Sequence, residues 1–103
     1  MIDAAALAAM KRGSVLINTA RGPLVDEAAL FEALTSGHLR GAGIDVFARE
    51  PVSKDDPRLK LQNVVVTPHL AWLTTETLER SLSIISENCR RLRTGEPLLH
   101  RVV

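Results

Sequence analysis

The sequence has little with which to stack on bases, bind polyanions or cross a membrane. Aromatic residues make up only 3% of its 103 residues, so it offers few platforms for stacking nucleic-acid bases. The net charge of +1 gives no reason to expect nucleic acid or an anionic membrane surface as a partner. No apolar run approaches the ~18 residues that a membrane-spanning helix needs. We therefore expect neither nucleic acid nor a membrane as a partner.

Cysteine is equally scarce, since Cys89 is the single one in the sequence. One cysteine excludes an internal disulfide, and no Cys and His residues recur at the spacing of a metal site, so we expect no metal. The first residues lack the basic and then apolar pattern of a secretory signal. These features favour a cytoplasmic protein, in which thiols stay reduced.

The residues that are present suffice for one small α/β domain, because 46% of them are apolar. Short apolar runs bounded by turn residues indicate strands buried on both faces, and a helix between the first two strands favours parallel pairing. The patterns predict helices over about 2–11 and 27–36, the second capped by Asp26. They predict strands over 14–18, 41–47 and 63–67, and a long helix of about 19 residues that begins near Thr74.

Two segments depart from this pattern of short elements. Residues 48–61 form a long irregular segment, in which we expect 54–56 to be a solvated charged loop. The last helix carries a narrow apolar seam that either packs in the core or forms a homodimer face, and so short a chain favours the dimer. The seam consists of Leu78, Leu82, Ile85, Cys89 and Leu92.

Polar residues follow each predicted strand and should meet at one edge of the sheet, where ligands of open α/β sheets bind. Arg21 can grip a carboxylate through its planar fork of donors, although it could also be a surface residue that caps a loop. Asp45 and Glu50 follow the second strand, and His69 follows the third. With Glu50 in reach, His69 is a candidate general acid and base; the alternative is a histidine bonded to a backbone carbonyl.

Several ordered stretches resemble the D-isomer-specific 2-hydroxyacid dehydrogenases over nearly the whole chain, with the tail weakest. They include Ile-Asn-Thr-Ala-Arg-Gly-Pro-Leu-Val-Asp at 17–26, Gly-Ala-Gly-Ile-Asp-Val-Phe at 41–47 and Asn-Val-Val-Val-Thr-Pro-His-Leu-Ala at 63–71. The resemblance implies a partial Rossmann-type, doubly wound parallel sheet of about three strands with a long C-terminal helix. It implies residues 1–73 as the C-terminal half of a dinucleotide-binding domain and 74–103 as a helix and tail that lead toward a substrate domain.

The resemblance also implies hydride transfer between NAD or NADP and a small 2-keto or D-2-hydroxy acid. Arg21 would bind the substrate, His69 would donate the proton and Glu50 would partner His69. Asp45 would contact the nicotinamide amide. The other residues that would line the nicotinamide are Thr19, Ala20, Leu70, Ala71 and Trp72, beside Arg21 and His69. Such families form homodimers through the cofactor domain.

The sequence departs from the family in what it lacks. The Gly-x-Gly-x-x-Gly turn that seats the pyrophosphate is absent, as is the acidic residue for the adenosine ribose, so NAD and NADP are not distinguished. We therefore expect a fragment of a longer enzyme that is inactive alone. The alternatives are a non-catalytic dimerisation or interaction module that retains the family's residues, and a chain that folds only with its missing half.

Overall fold

The computed structural model describes residues 1–102, which fall into two compact units, one over Met1–Ala71 and one from Trp72 onward. The first unit contains a three-stranded parallel sheet whose strands lie side by side in the order of the chain. The α/β class and the parallel pairing are confirmed. The strands are β1 (Val15–Asn18), β2 (Gly41–Ile44) and β3 (Val64–Val66), and the helices are α1 (Ala4–Ala9), α2 (Glu27–Thr35) and α3 (Thr75–Thr94).

Helix α2 begins and ends where its sequence predicts. The Asp26 carboxylate accepts hydrogen bonds from Ala28 N at 3.1 Å and Ala29 N at 3.0 Å, which satisfies two amides of the first turn. Leu30 and Leu34 are buried on one face. Gly37 follows with φ +69°, a left-handed conformation that glycine adopts without strain and that ends helices.

The core lies on one side of the sheet, so the expectation that β1 is buried on both faces is wrong. Leu16 is buried with Leu7 of α1 and Leu30 of α2, whereas Ile17 on the opposite face is 72% exposed. On β3, Val65 is exposed on the same face of the sheet as Ile17. Both helices of this unit join the core cluster on the Leu16 side, which leaves the other face without a helix from the described part of the unit.

The long segment 48–61 is largely irregular, as predicted, but its acidic part is not simply solvated. Asp56 caps a short 3-10 turn at Pro57–Lys60 and forms an ion pair with Arg58 at 2.7 Å. Arg58 itself is only 6% exposed. The segment is therefore tied down at Asp56 and Arg58 rather than free along its whole length.

The second unit is built on α3, which is capped at both ends. Thr74 Oγ1 accepts from Thr77 N at 3.1 Å, and Gly95 ends the helix with φ +70°. The predicted seam residues are exposed, for example Leu82 at 66% and Ile85 at 58%. Among the helices of residues 1–102, none combines the length and apolar character needed to span a membrane.

Candidate active site

The carboxyl ends of the three parallel strands lie at one edge of the sheet, and this edge brings Glu50 and His69 together. His69 Nδ1 lies 2.9 Å from Glu50 Oε2, and both side chains are a little more than one third exposed. The other carboxylate oxygen, Oε1, accepts a hydrogen bond from Phe47 N at 2.9 Å. Glu50 thus faces the imidazole from a position that the backbone fixes.

These contacts favour the ionised form of Glu50. The hydrogen bond with His69 has the largest effect, and together with the Phe47 N–H it lowers the pKa of Glu50. The charges of His69 and Arg21 act in the same direction, whereas partial burial opposes them. A carboxylate held in this way also fixes the orientation of the imidazole ring.

Asp45 organises the turn that carries His69. Its backbone carbonyl accepts from His69 N at 2.9 Å, and its buried carboxylate accepts from Leu70 N at 2.8 Å and Ala71 N at 2.9 Å. Thr67 Oγ1 donates to the same carboxylate. The hydrogen bond from Thr67 contributes most to lowering the pKa of Asp45, followed by those from Ala71 and Leu70.

His69 has a left-handed backbone conformation, with φ +58°. A non-glycine residue rarely adopts this conformation, and such residues occur often at functional sites. Asp45 compensates, since it binds the backbone of His69 and of the two residues that follow. The turn is therefore shaped by a residue of the neighbouring strand's end.

Arg21 lies at the end of β1 in a turn that Asn18 holds. Asn18 Nδ2 donates to Arg21 O at 2.9 Å, and Asn18 Oδ1 accepts from Ala20 N at 3.1 Å. The Arg21 side chain is exposed and its Nη1 donates to Ala20 O at 2.6 Å. The guanidinium is close enough to Glu50 to contribute to that residue's lowered pKa.

Gly22 brings this turn against the segment that leads to Glu50. A Cβ atom at position 22 would lie 1.9 Å from the carbonyl carbon of Phe47 and 2.2 Å from Ala48 N. Only glycine allows two backbones to approach so closely. Arg21 is therefore placed beside the Glu50 segment by direct backbone packing.

The remaining predicted cofactor residues divide between the two units. Thr19 and Ala20 are exposed at the end of β1, and Leu70 and Ala71 lie in the Asp45-bound turn. Trp72 belongs to the second unit and is 53% exposed. The cofactor contacts assigned to all of them stay predictions.

An apolar cleft of about 530 Å³ adjoins Glu50 and His69. Phe47, Val52 and Val66 contribute to its lining. Apolar walls lower the local dielectric and strengthen charge interactions beside them. Within residues 1–102, no group of three or more His, Cys, Asp or Glu residues is placed to hold a metal ion.

Sequence reasoning missed several residues that support this edge. Asn18 and Thr67 act through contacts with Arg21 and Asp45, which no local pattern indicates. The cap at Asp56 was detectable, because an acidic residue directly before a proline is a common helix start. Its pairing with the buried Arg58 had no comparable signal.

Comparison with known proteins identifies the first unit. Residues 1–71 match the family model described as the NAD binding domain of D-isomer specific 2-hydroxyacid dehydrogenases. The chain is 47% identical over 96 residues to a glyoxylate reductase of Korarchaeum cryptofilum. The match covers 93% of this chain and 29% of the reductase. It is 50% identical over 96 residues to a D-3-phosphoglycerate dehydrogenase of Mycobacterium bovis. That match covers 93% of this chain and 18% of the dehydrogenase.

A solved structure is similar in both sequence and fold. The D-isomer specific 2-hydroxyacid dehydrogenase from Xanthobacter autotrophicus Py2, in complex with NADPH and MES, superposes with a TM-score of 0.86 at 47% identity. The match covers 97% of this chain and 40% of that one. The chain therefore spans less than a third of these curated relatives and less than half of this solved chain.

Proposed function

This chain belongs to the D-isomer specific 2-hydroxyacid dehydrogenase family, and on that premise we propose that it forms the nicotinamide side of an NAD- or NADP-dependent active site. The proposed reaction interconverts a small 2-keto acid and the D-2-hydroxy acid. The contact of 2.9 Å between Glu50 Oε2 and His69 Nδ1 carries the proposal, since a proton donor to a carbonyl needs an oriented, charge-stabilised imidazole.

We assign the proton transfer to His69. Because Nδ1 faces Glu50, Nε2 is the ring nitrogen assigned to the carbonyl oxygen of the keto acid. During reduction the protonated ring gives its proton to that oxygen, and during oxidation the neutral ring takes the hydroxyl proton. Glu50 stabilises the protonated ring in both directions. General acid–base catalysis of this kind contributes ~10²–10⁴-fold to a rate.

We assign the substrate carboxylate to Arg21. Its side chain is exposed at the end of β1, in the turn that Asn18 and Gly22 hold in place. A guanidinium binds a carboxylate through two parallel N–H donors, which fixes the position of the attached keto group as well as its charge. Arg21 would thereby orient the carbonyl toward His69.

The residues at this edge fit a nicotinamide ring rather than a whole dinucleotide. Thr19 and Ala20 are small and exposed, and the backbone of the 69–71 turn is held by hydrogen bonds to Asp45. The nicotinamide, when bound, supplies the hydride during reduction and accepts it during oxidation. Asp45 is the assigned contact for its amide, and the hydrogen bonds of this carboxylate shape the turn beside it.

We propose further that the chain works as one part of a longer enzyme. It spans less than a third of the curated relatives and contains no Gly-x-Gly-x-x-Gly turn for the pyrophosphate. The isolated chain is expected not to oxidise NADH or NADPH with a 2-keto acid. A cytoplasmic location stays a prediction.

A chimera tests this function. The matching segment of the Korarchaeum glyoxylate reductase is replaced by this chain, and oxidation of NADH and NADPH is followed with glyoxylate. We expect activity that falls by ~10²–10⁴-fold on His69→Gln. His38→Gln is the matched control, because His38 contacts the Leu7 carbonyl far from this edge. A folded His69→Gln chimera with undiminished activity would refute the assignment.

The exposed seam of α3 leads us to propose a second copy of the chain as its partner. Leu82 and Leu92 are each about two thirds exposed, and no residue of α3 is buried. Apolar stripes of this kind are typical of helix–helix contacts in homodimers. The expected species in sedimentation equilibrium at high micromolar concentration is a dimer.

Charge on the seam tests the dimer. Leu82→Glu places a carboxylate in the apolar contact and should give a monomer, because a buried unpaired charge is costly. Ser83→Glu adds the same charge at the neighbouring position, off the seam, and should leave the dimer intact. A wild-type monomer, or a dimer that persists in Leu82→Glu, would contradict this proposal.

A further inference from the structure

An ion cluster around the buried Arg58 links the first turn of α2 with the loop beyond Glu50. Arg58 is 6% exposed and contacts two carboxylates, Glu27 Oε1 at 2.7 Å and Asp56 Oδ2 at 2.7 Å. Its Nε also donates to Asp56 Oδ1 at 2.9 Å. These three residues, Glu27, Asp56 and Arg58, are called the Arg58 cluster here. No step of the proposed reaction uses any of them.

The cluster contacts the two residues that lead toward Glu50. The Arg58 guanidinium lies 5.0 Å from the centroid of the Phe47 ring, within the range of a cation–π contact. Glu27 Oε1, besides its ion pair, accepts a hydrogen bond from Ala48 N at 2.9 Å. Phe47 is held through its ring and Ala48 through its backbone.

Phe47 is also the residue whose N–H fixes Glu50. Its backbone amide donates to Glu50 Oε1, which leaves Oε2 directed at His69 Nδ1. A shift of the Phe47 backbone would therefore move the carboxylate relative to the imidazole. The chain of contacts runs from Arg58 through the Phe47 ring and backbone to Glu50 and then to His69.

We propose that the Arg58 cluster is a positioning device that holds the Phe47 amide in place and so aims the Glu50 carboxylate at His69. Arg58 and Glu27 are thus positioning residues, which act through Phe47 without contacting substrate. The importance of this for catalysis rests on the function proposed above. The positioning of Glu50 can be measured on this chain without any catalytic turnover.

The test measures two properties of the 103-residue chain by NMR, namely hydrogen exchange of the Phe47 amide and the titration of the Glu50 carboxyl group. In Glu27→Ala, which removes the contacts to Arg58 and Ala48, we expect ~10-fold faster exchange of the Phe47 amide. We also expect the pKa of Glu50 to rise toward its ordinary value, because its bond from Phe47 N–H weakens. Glu32→Ala, which removes an exposed acid of the same helix, is the matched control and should change neither.

Variants of Arg58 separate charge from geometry. Arg58→Met removes the charge and should reproduce both effects of Glu27→Ala. Arg58→Lys keeps the charge but cannot span two carboxylates and the ring, so we expect intermediate values. If Arg58→Met does not fold, Glu27→Ala with native circular dichroism decides the question.

A purely stabilising cluster would lower the unfolding midpoint and leave both NMR readouts unchanged. The proposal is therefore overturned if folded Glu27→Ala keeps wild-type exchange at Phe47 or a wild-type titration of Glu50. Neither readout depends on coenzyme or substrate. A failed chimera would count against the dehydrogenase function alone, and unchanged NMR readouts would count against the positioning alone.

Discussion

At the scale of single residues, Gly22 fixes the distance between Arg21 and the Glu50 segment. The atoms that a Cβ at position 22 would meet belong to the backbone of Phe47 and Ala48, so they cannot rotate aside. We expect Gly22→Ala to cost ~1–3 kcal/mol in the free energy of unfolding, as overpacking of a tight contact does. Urea denaturation followed by circular dichroism measures this cost.

Gly43→Ala is the control for that measurement. A Cβ at Gly43 would lie 3.6 Å from the Ile17 side chain, which is ordinary contact. We expect a change below ~1 kcal/mol, the usual scale of glycine-to-alanine effects at tolerant positions. Equal costs at the two glycines would show that close packing at Gly22 is unimportant.

Asp45 concentrates the hydrogen bonds of the histidine turn in one side chain. In Asp45→Asn one of the two acceptor oxygens becomes an N–H₂ group, so the amides of Leu70 and Ala71, which bond to different oxygens, cannot both keep their acceptor. We expect at least one of the amides of Leu70 and Ala71 to exchange hydrogen ~10-fold faster or more, measured by NMR. Asp55→Asn, in the exposed loop, should leave both rates at wild-type values; unchanged rates in Asp45→Asn would contradict this account.

The candidate residues Arg21, Glu50 and His69 were predictable because each follows a strand of a parallel sheet. The sheet brings such positions to one edge whatever their separation in sequence. The contact of Thr67 with Asp45 spans 22 residues, and neither side chain signals the other locally. The left-handed backbone of His69 was equally hidden, because it depends on that long-range support.

At the scale of elements, α2 depends on its cap. The Asp26 carboxylate satisfies the amides of Ala28 and Ala29. We expect Asp26→Ala to lower the free energy of unfolding by ~1 kcal/mol. Asp26→Asn keeps an acceptor oxygen and should lose only a small part of this. The urea midpoints of the two variants show which loses more stability. An Asp26→Ala variant as stable as the wild type would show that the cap does not stabilise α2.

Element types were predictable and their surroundings were not. Alternation within β1 is absent from Val-Leu-Ile, so its sequence favours burial on both faces, whereas Ile17 is exposed. β2 ends at Ile44 rather than at Phe47. Just beyond Ile44, Asp45 N still donates to Asn18 O of β1, and Asp45 O accepts from His69 N in the turn of the site.

At the scale of the molecule, three carboxylates make the stability of the first unit depend on pH. The pKa values of Asp45, Glu50 and Asp56 are lowered, chiefly by hydrogen bonds from Thr67, His69 and Arg58 respectively. Unfolded carboxyls titrate near their ordinary values of 3.8 and 4.5 and take up protons at higher pH than folded ones. Their contribution is therefore complete well above pH 4.5 and is lost as the pH falls through the lowered values.

Urea midpoints at a series of pH values check this dependence. We expect the part of the midpoint that these three carboxylates contribute to be constant from about pH 7 to 6. Below about pH 4 the midpoint should fall steadily. Asp45→Asn should show a flatter acid limb, since it removes one of the three titrating groups. A midpoint that rises on acidification would contradict the lowered pKa values assigned to these carboxylates.

The exposed Trp72 has a practical consequence for experiments on this chain. It is the single tryptophan of the sequence and directly follows the turn that carries His69. Its fluorescence therefore reports on one location without background from another indole. Reduced nicotinamides absorb light at the wavelengths at which indoles emit, so quenching of this intrinsic fluorophore would test the proposed coenzyme binding without a label.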